Sequence, residues 1–262
     1  NPAIFSYDLG DDDVVSITKS QRLRERNGKI VQLPRFDNSN VFSAIRKRQS
    51  VRQFQDTQIS GNKLSGLLEA TYSKGENGHW SVPSGGAMYP LDLYLIVLSE
   101  NQVLPHGIYR WNPERSELTM ISDKDPNVWV AKVFNAQALL EHVACILCIA
   151  ANLKRSVSKY ANHGYRYTLL EAGHAAQNAY LFCAEQNIGV VEYGGFSDEA
   201  IARELGLLFP DEAVITTIIM GIEDRSGRKT HTADQEITET ARHLRHALVG
   251  NDKPITKISF LE

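Results

Sequence analysis

The sequence predicts an α+β fold in which the strands of one sheet have helices before, between and after them. Three observations carry that expectation. Residues 91–98, 143–151 and 214–220 are apolar runs of strand length, the last rich in β-branched side chains, as suits a sheet covered on both faces. Residues 108–111 and 118–121 flank Asn112-Pro113-Glu114-Arg115-Ser116 as hairpin strands flank a turn. Residues 165–186 read as one long helix.

In chain order, residues 1–36 are polar, with Lys19, Arg22, Arg24 and Arg26 followed by Lys29, Pro34 and Arg35, and read as an arm on a core. Helical spacing starts near Asn40 with Val41, Phe42, Ala44 and Ile45, and returns over 62–72 with Leu64, Leu67, Leu68 and Tyr72. Glycines and Pro83 break regular structure between 74 and 86. A helix is expected over 127–141. Another is expected over 199–205, where Ser197 is placed to cap free N–H groups and Asp198 and Glu199 face the positive end of the dipole. A helix over 234–249 and an alternating strand over 254–261 close the chain. The organisation is one domain, 37–230, with appendages at 1–36 and 231–262.

Composition narrows the function. With 262 residues and 42% hydrophobic content, the chain can bury a sizeable core. A formal net charge of -3 gives no general attraction to nucleic acid or to an anionic membrane. No apolar run reaches membrane-spanning length and the opening residues lack a signal-peptide core, so a soluble, cytoplasmic protein is expected. Cys145, Cys148 and Cys183 do not make a disulfide framework. On a strand, Cys145 and Cys148 face opposite sides of the sheet, which removes the reading of a metal or redox pair.

Two segments carry chemistry. Arg46, Lys47, Arg48 and Arg52 crowd the end of the first helix, with Gln49 and Ser50 among them and Phe54 returning to the core. Such a run is ordinarily a solvated face. Partial burial of Arg48 and Arg52 would instead require an anion, and phosphate is the expected one. The second segment, Pro83-Ser84-Gly85-Gly86-Ala87-Met88-Tyr89-Pro90, enters a strand directly. Its glycines let backbone N–H groups approach a flat ligand. It lacks the strand-before, helix-after context of a dinucleotide fingerprint or P-loop.

These residues resemble the nitroreductase superfamily, in particular its azoline-oxidising, SagB-type branch. Arg48-Gln49-Ser50-Val51-Arg52-Gln53-Phe54 is similar to the segment that grips the FMN phosphate and ribityl chain. Pro83 to Pro90 is similar to that branch's loop. Gly164-Tyr165-Arg166-Tyr167, Glu171-Ala172-Gly173-His174 and Gln177-Asn178 resemble its central helix, and Gly189-Val190-Val191 with Gly194-Gly195-Phe196 its loop beside the flavin. The segments fall in family order. The resemblance implies a nitroreductase-like fold, a central mixed or antiparallel sheet flanked by helices, and an intertwined homodimer, with residues 231–262 as the candidate exchanged tail. It implies FMN bound by Arg48, Gln49, Ser50 and Arg52, by Pro83, Ser84, Gly85 and Gly86, and by Gly194 and Gly195. Arg225, Arg228 and Lys229 are candidates for a further basic contact, and spacing does not choose among them.

Lys159-Tyr160 stands where azole-forming members of the branch carry a Lys-Tyr pair for proton transfer, and these two are the expected catalytic residues. As a base, Lys159 would need burial or nearby cations such as Arg155 and Arg166 to bring its pKa down from about 10.4. The implied activity is oxidation of thiazoline or oxazoline rings, in a peptide or a carrier-bound intermediate, with dioxygen as reoxidant and a cyclase or assembly-line protein as partner. Two rivals stand beside it: an NAD(P)H-dependent nitro-, quinone- or ene-reductase, and a non-catalytic subunit of a peptide-modifying complex. His163 and His174 could act as acids, but His174, among Ala172, Ala175 and Ala176, reads as a packing or hydrogen-bonding residue, and His231, His243 and His246 read as solvated.

Overall fold

A computed structural model of the chain describes residues 40–226 except 102. The arm at 1–36, the helix at 234–249, the strand at 254–261, Arg228, Lys229, and His231, His243 and His246 lie outside the described residues. The elements run α1 (Asn40–Lys47), β1 (Phe54–Gln55), α2 (Gly61–Thr71), β2 (Leu91–Val97), β3 (Gly107–Asn112), β4 (Glu117–Ser122), α3 (Asn127–Val133), β5 (Cys145–Asn152), α4 (Leu153–Tyr160), α5 (Asn162–Gln186), β6 (Gly189–Tyr193), α6 (Asp198–Leu205) and β7 (Glu212–Glu223).

The sheet has the order β1-β7-β5-β2-β3-β4, with β6 also on β7. Every pairing is antiparallel. β2 shows why the central runs are apolar throughout, since alternate side chains leave on opposite faces. Leu93 and Leu95 join a core with α2 and α5, whereas Tyr94 and Ile96 join one with α3 and α6. Cys145 and Cys148 divide in the same way. Burial raises all three thiols, that of Cys145 to about 12, so they are inert apolar filler.

Three expectations are corrected. The helix expected over 127–141 ends at Val133, because Phe134 turns to bridge Phe196 and Ser197 N–H donates to the Val133 carbonyl. Gly189-Val190-Val191 is not loop but the start of β6, paired along β7. Ser197 precedes α6 without a side-chain capping bond. Residues 153–160, for which the sequence offered no assignment, form α4.

Candidate active site

Two clusters are built along α5. The first surrounds the loop 83–90. Gly85–Ala87 is a single 3-10 turn, and Gly86, Ala87 and Tyr89 have φ of +63°, +55° and +44°. For the two non-glycine residues that conformation is strained, by about 1–3 kcal/mol each, and persists only where the surroundings impose it.

Here they do. The Ser84 hydroxyl oxygen accepts from Tyr89 N–H at 2.9 Å, and its proton goes to the Glu171 carboxylate of α5. Tyr89 stacks on Trp80 with centroids 4.2 Å apart, and its carbonyl accepts from Arg155 Nη1 at 3.0 Å. The Gly86 carbonyl accepts from Lys159 Nζ at 3.3 Å. A Cβ on Gly86 would run into the Tyr160 hydroxyl, so these two segments touch only because residue 86 is glycine. Tyr167 packs over Gly85 and meets Tyr160 edge to face at 5.1 Å. Lys159 and Tyr160 therefore lie against the glycine loop, 73 residues away in the chain for the Lys159–Gly86 bond. Lys159 is exposed in this chain, with Arg155 one helical turn away, and Pro83 is exposed as well.

Glu171 is the residue that sequence reading missed. It is 2% exposed, accepts from Tyr72 Oη at 3.1 Å as well as from Ser84, and burial raises its carboxyl above the ordinary carboxylate range. Its one signal in the sequence is an acid on the helical stripe that carries Ala172, Ala175 and Ala179.

The second cluster is a cleft of about 390 Å³ lined by Arg48, Ser50, Gly173, Gln177, Tyr180 and Glu192 among others. The Arg48 guanidinium lies 5.4 Å from the Tyr180 ring centroid and has no carboxylate partner among the described residues. Tyr180 is the buried hub: its hydroxyl accepts Glu192 N–H at 2.7 Å and lies 3.5 Å from Ser50 Oγ. The Glu192 carboxylate is occupied by Thr216 Oγ1 at 2.8 Å. Val51 N–H bonds the Val190 carbonyl and pins the basic segment to β6. An unpaired guanidinium beside a hydroxyl suits an anion such as a phosphate. Arg48 and Arg52 are both exposed rather than partly buried, so a ligand or a second chain must supply any burial.

Gln49 and Arg225 meet on Glu223, Gln49 Nε2 at 3.1 Å and Arg225 Nε at 3.0 Å, which brings the post-sheet cation beside the basic segment. Gly194 is exposed at the end of β6, and the Gly195 carbonyl accepts Asn135 N–H. His163 is exposed, and His174, expected to pack, is exposed as well. No helix among the described residues is long and apolar enough to cross a membrane.

The comparisons agree with this architecture. The family model described as "Nitroreductase family" matches residues 45–222. A Methanocaldococcus jannaschii protein described as a nitroreductase, MJ1384, is 35% identical over 176 residues, 67% of this chain and 88% of its own length. The Escherichia coli microcin B17-processing protein McbC is 24% identical over 190 residues, 70% of this chain and 68% of its own. The solved E. coli microcin synthetase McbBCD complex, with truncated pro-MccB17 bound, contains a chain with a TM-score of 0.58 and 20% identity, covering 82% of this chain and 95% of that one. A Desulfovibrio desulfuricans nitroreductase homologue in complex with FMN has a TM-score of 0.50 and 18% identity, covering 77% and 96%. With the family match spanning most of the chain and the sheet, helices and paired clusters in place, this chain is an oxidoreductase of the nitroreductase family.

Proposed function

We propose that the chain is an FMN-dependent dehydrogenase that oxidises thiazoline or oxazoline rings to azoles in a peptide or carrier-bound substrate. The observation that carries this reading is the contact of Lys159 and Tyr160 with the glycine loop at Gly86. Similarity to McbC supports it.

Arg48 and Ser50, with Gln49, Arg52 and Arg225 near them, would hold the phosphate and ribityl end. Ser84, Gly85 and Gly86, and Gly194 and Gly195, would lie along the ring. FMN, when bound, accepts the hydride of the oxidation. The proton is the work of this chain. Lys159, held as the neutral amine by the Gly86 carbonyl, would take the carbon-bound proton and become an ammonium over the Tyr160 ring. Loss of one hydride and one proton converts azoline to azole, and dioxygen restores the flavin.

The exposure of Lys159 and Arg48 in a single chain fits a homodimer that covers both. The side chains left out on α1 and α5 point the same way: Val41 at 61% exposure, Ile45 at 45%, Tyr165 at 47% and Leu170 at 56%. A cyclase or assembly-line protein that delivers the substrate is the further partner this reading calls for.

The test is to incubate the flavin-loaded protein with a thiazoline peptide and follow the mass. A loss of two hydrogens is expected, and Lys159→Ala should abolish it while flavin absorbance stays. Unchanged turnover in Lys159→Ala would remove the proton role and leave the FMN assignment standing. The greater identity to the archaeal homologue described as a nitroreductase favours a second reading, an NAD(P)H-dependent reductase. Fast flavin reduction by NAD(P)H, with no azoline oxidation, would establish it.

A further inference from the structure

Beyond the 83–90 loop lies a second cavity to which the flavin reading gives no role. β2 and β3 pair only from Tyr94↔Arg110 onward, whereas residues 91–93 continue on β5 alone. The two strands therefore part at the end next to the loop, and the fork encloses about 500 Å³. Its walls are flat and apolar: Trp80 and Tyr89, stacked with 17° between their planes, and the buried Trp111. Trp111 is fixed in turn by a bond of 2.7 Å from its Nε1–H to the Tyr72 carbonyl. The rim carries Arg155 and the ion pair of Asp92 with Arg110, 2.8 Å apart.

Arg155 ties this cavity to the candidate site. Arg155 and Lys159 stand one turn apart on the same face of α4, about 6 Å between Cβ atoms, and grip the same loop at Tyr89 and Gly86. A substrate whose reacting ring lies at Lys159 would thus present a neighbouring part of its chain to the fork.

The lining also says what that part is. Arg110 and Arg155 are balanced by Asp92 and Glu114, and three of the four already have charged partners, Arg110 with Asp92 and Glu114 with Lys74. Such a rim does not attract the diphosphate of a nicotinamide dinucleotide. It does offer both donors and acceptors, the pattern that a peptide amide answers, and its aromatic walls favour a flat ring.

We infer that the fork between β2 and β3 is a substrate subsite that takes an uncharged peptide segment carrying a flat aromatic ring next to the reacting azoline. The inference rests on the azoline-oxidising reading and specifies its substrate. The ring can be an aromatic side chain or an azole already formed, since the walls recognise what the two share.

The experiment uses the flavin-loaded full chain and three synthetic peptides with one thiazoline each, flanked by glycine, by phenylalanine or by a thiazole. For the wild type, a KM about 10-fold lower for the ring-flanked peptides is expected. Preference for both names any flat ring, and preference for thiazole alone names a ring already formed. Thr119→Trp fills the fork from the exposed face of β4, and Thr119→Arg narrows it with a charge. Either should bring the KM ratio to about one. Equal KM values in the wild type, a ratio that survives both variants, or competition by NADPH against the ring-flanked peptides alone would overturn the subsite. Failure to oxidise even the glycine-flanked peptide would overturn the function reading beneath it, so the two failures are told apart.

Discussion

The loop at Gly86 and the cleft at Arg48 lie along the same helix, and they differ in how much of their geometry one chain provides. The loop is held at Ser84, Tyr89 and Gly86 by Glu171, Trp80, Arg155 and Lys159, and the strained φ angles of Ala87 and Tyr89 survive because of those ties. The cleft has one rigid member, Tyr180, over which an exposed Arg48 lies with no carboxylate partner among the described residues. The folded chain thus fixes in advance the part proposed to handle a proton. It leaves open the part proposed to bind a charged group, where the ligand itself completes the site.

The largest effect that would break this contrast is expected at the rigid end. Gly86→Val places a side chain at φ +63° against Tyr160 and Lys159, and should lower azoline turnover by about 100-fold or more with flavin absorbance kept. Turnover near wild type would mean that the geometry of the loop is irrelevant to the chemistry. At the open end, Arg48→Ala should weaken FMN binding by about 10- to 100-fold in a flavin fluorescence titration. A change below about two-fold would take the phosphate away from this cleft.

A smaller effect sharpens the account of rigidity. Burial raises the Glu171 carboxyl above its ordinary value of 4.5. A group raised on folding favours the fold below its unfolded pKa, and that contribution is lost as pH rises through the folded value. Glu171→Gln removes the titration, so its Tm should gain on wild type as pH rises above 4.5. The gain should grow until pH has passed the raised native value and then level off. A Tm difference that does not vary between pH 4 and 8 would show that Glu171 does not titrate with folding. The smallest effect is expected at Ser197→Ala, which removes no capping bond and should change urea stability by less than about 0.5 kcal/mol.

The central strands of the sheet were legible because burial on both faces makes them nearly continuously apolar, as in Leu91–Val97 and Cys145–Asn152. α4 was not, because its one buried side chain is Ser156 and hydrophobic spacing has nothing to register. The shortening of α3 depends on the Phe134–Phe196 bridge, a long-range contact that no local pattern contains. In the site, Arg48, Ser50, Gly86, Lys159 and Tyr160 were legible as motifs. The roles of the residues that hold them, Glu171, Tyr180 and Trp80, were not, since each rests on a contact that no local pattern contains.

The junction between α4 and α5 has a wider consequence. Ala161 breaks the helix at φ +47° and ψ −137°, and Gly164 then passes so close to α4 that a Cβ would lie 2.5 Å from the Ser156 carbonyl. A substitution at 164 would therefore turn the two helices into a lever with its fulcrum at that contact. Any side chain at 164 would push the short arm outward and lift Arg155 and Lys159 off the loop together. A single methyl group at residue 164 would then misalign Lys159, the proposed proton acceptor, and Arg155 at the mouth of the fork in one movement.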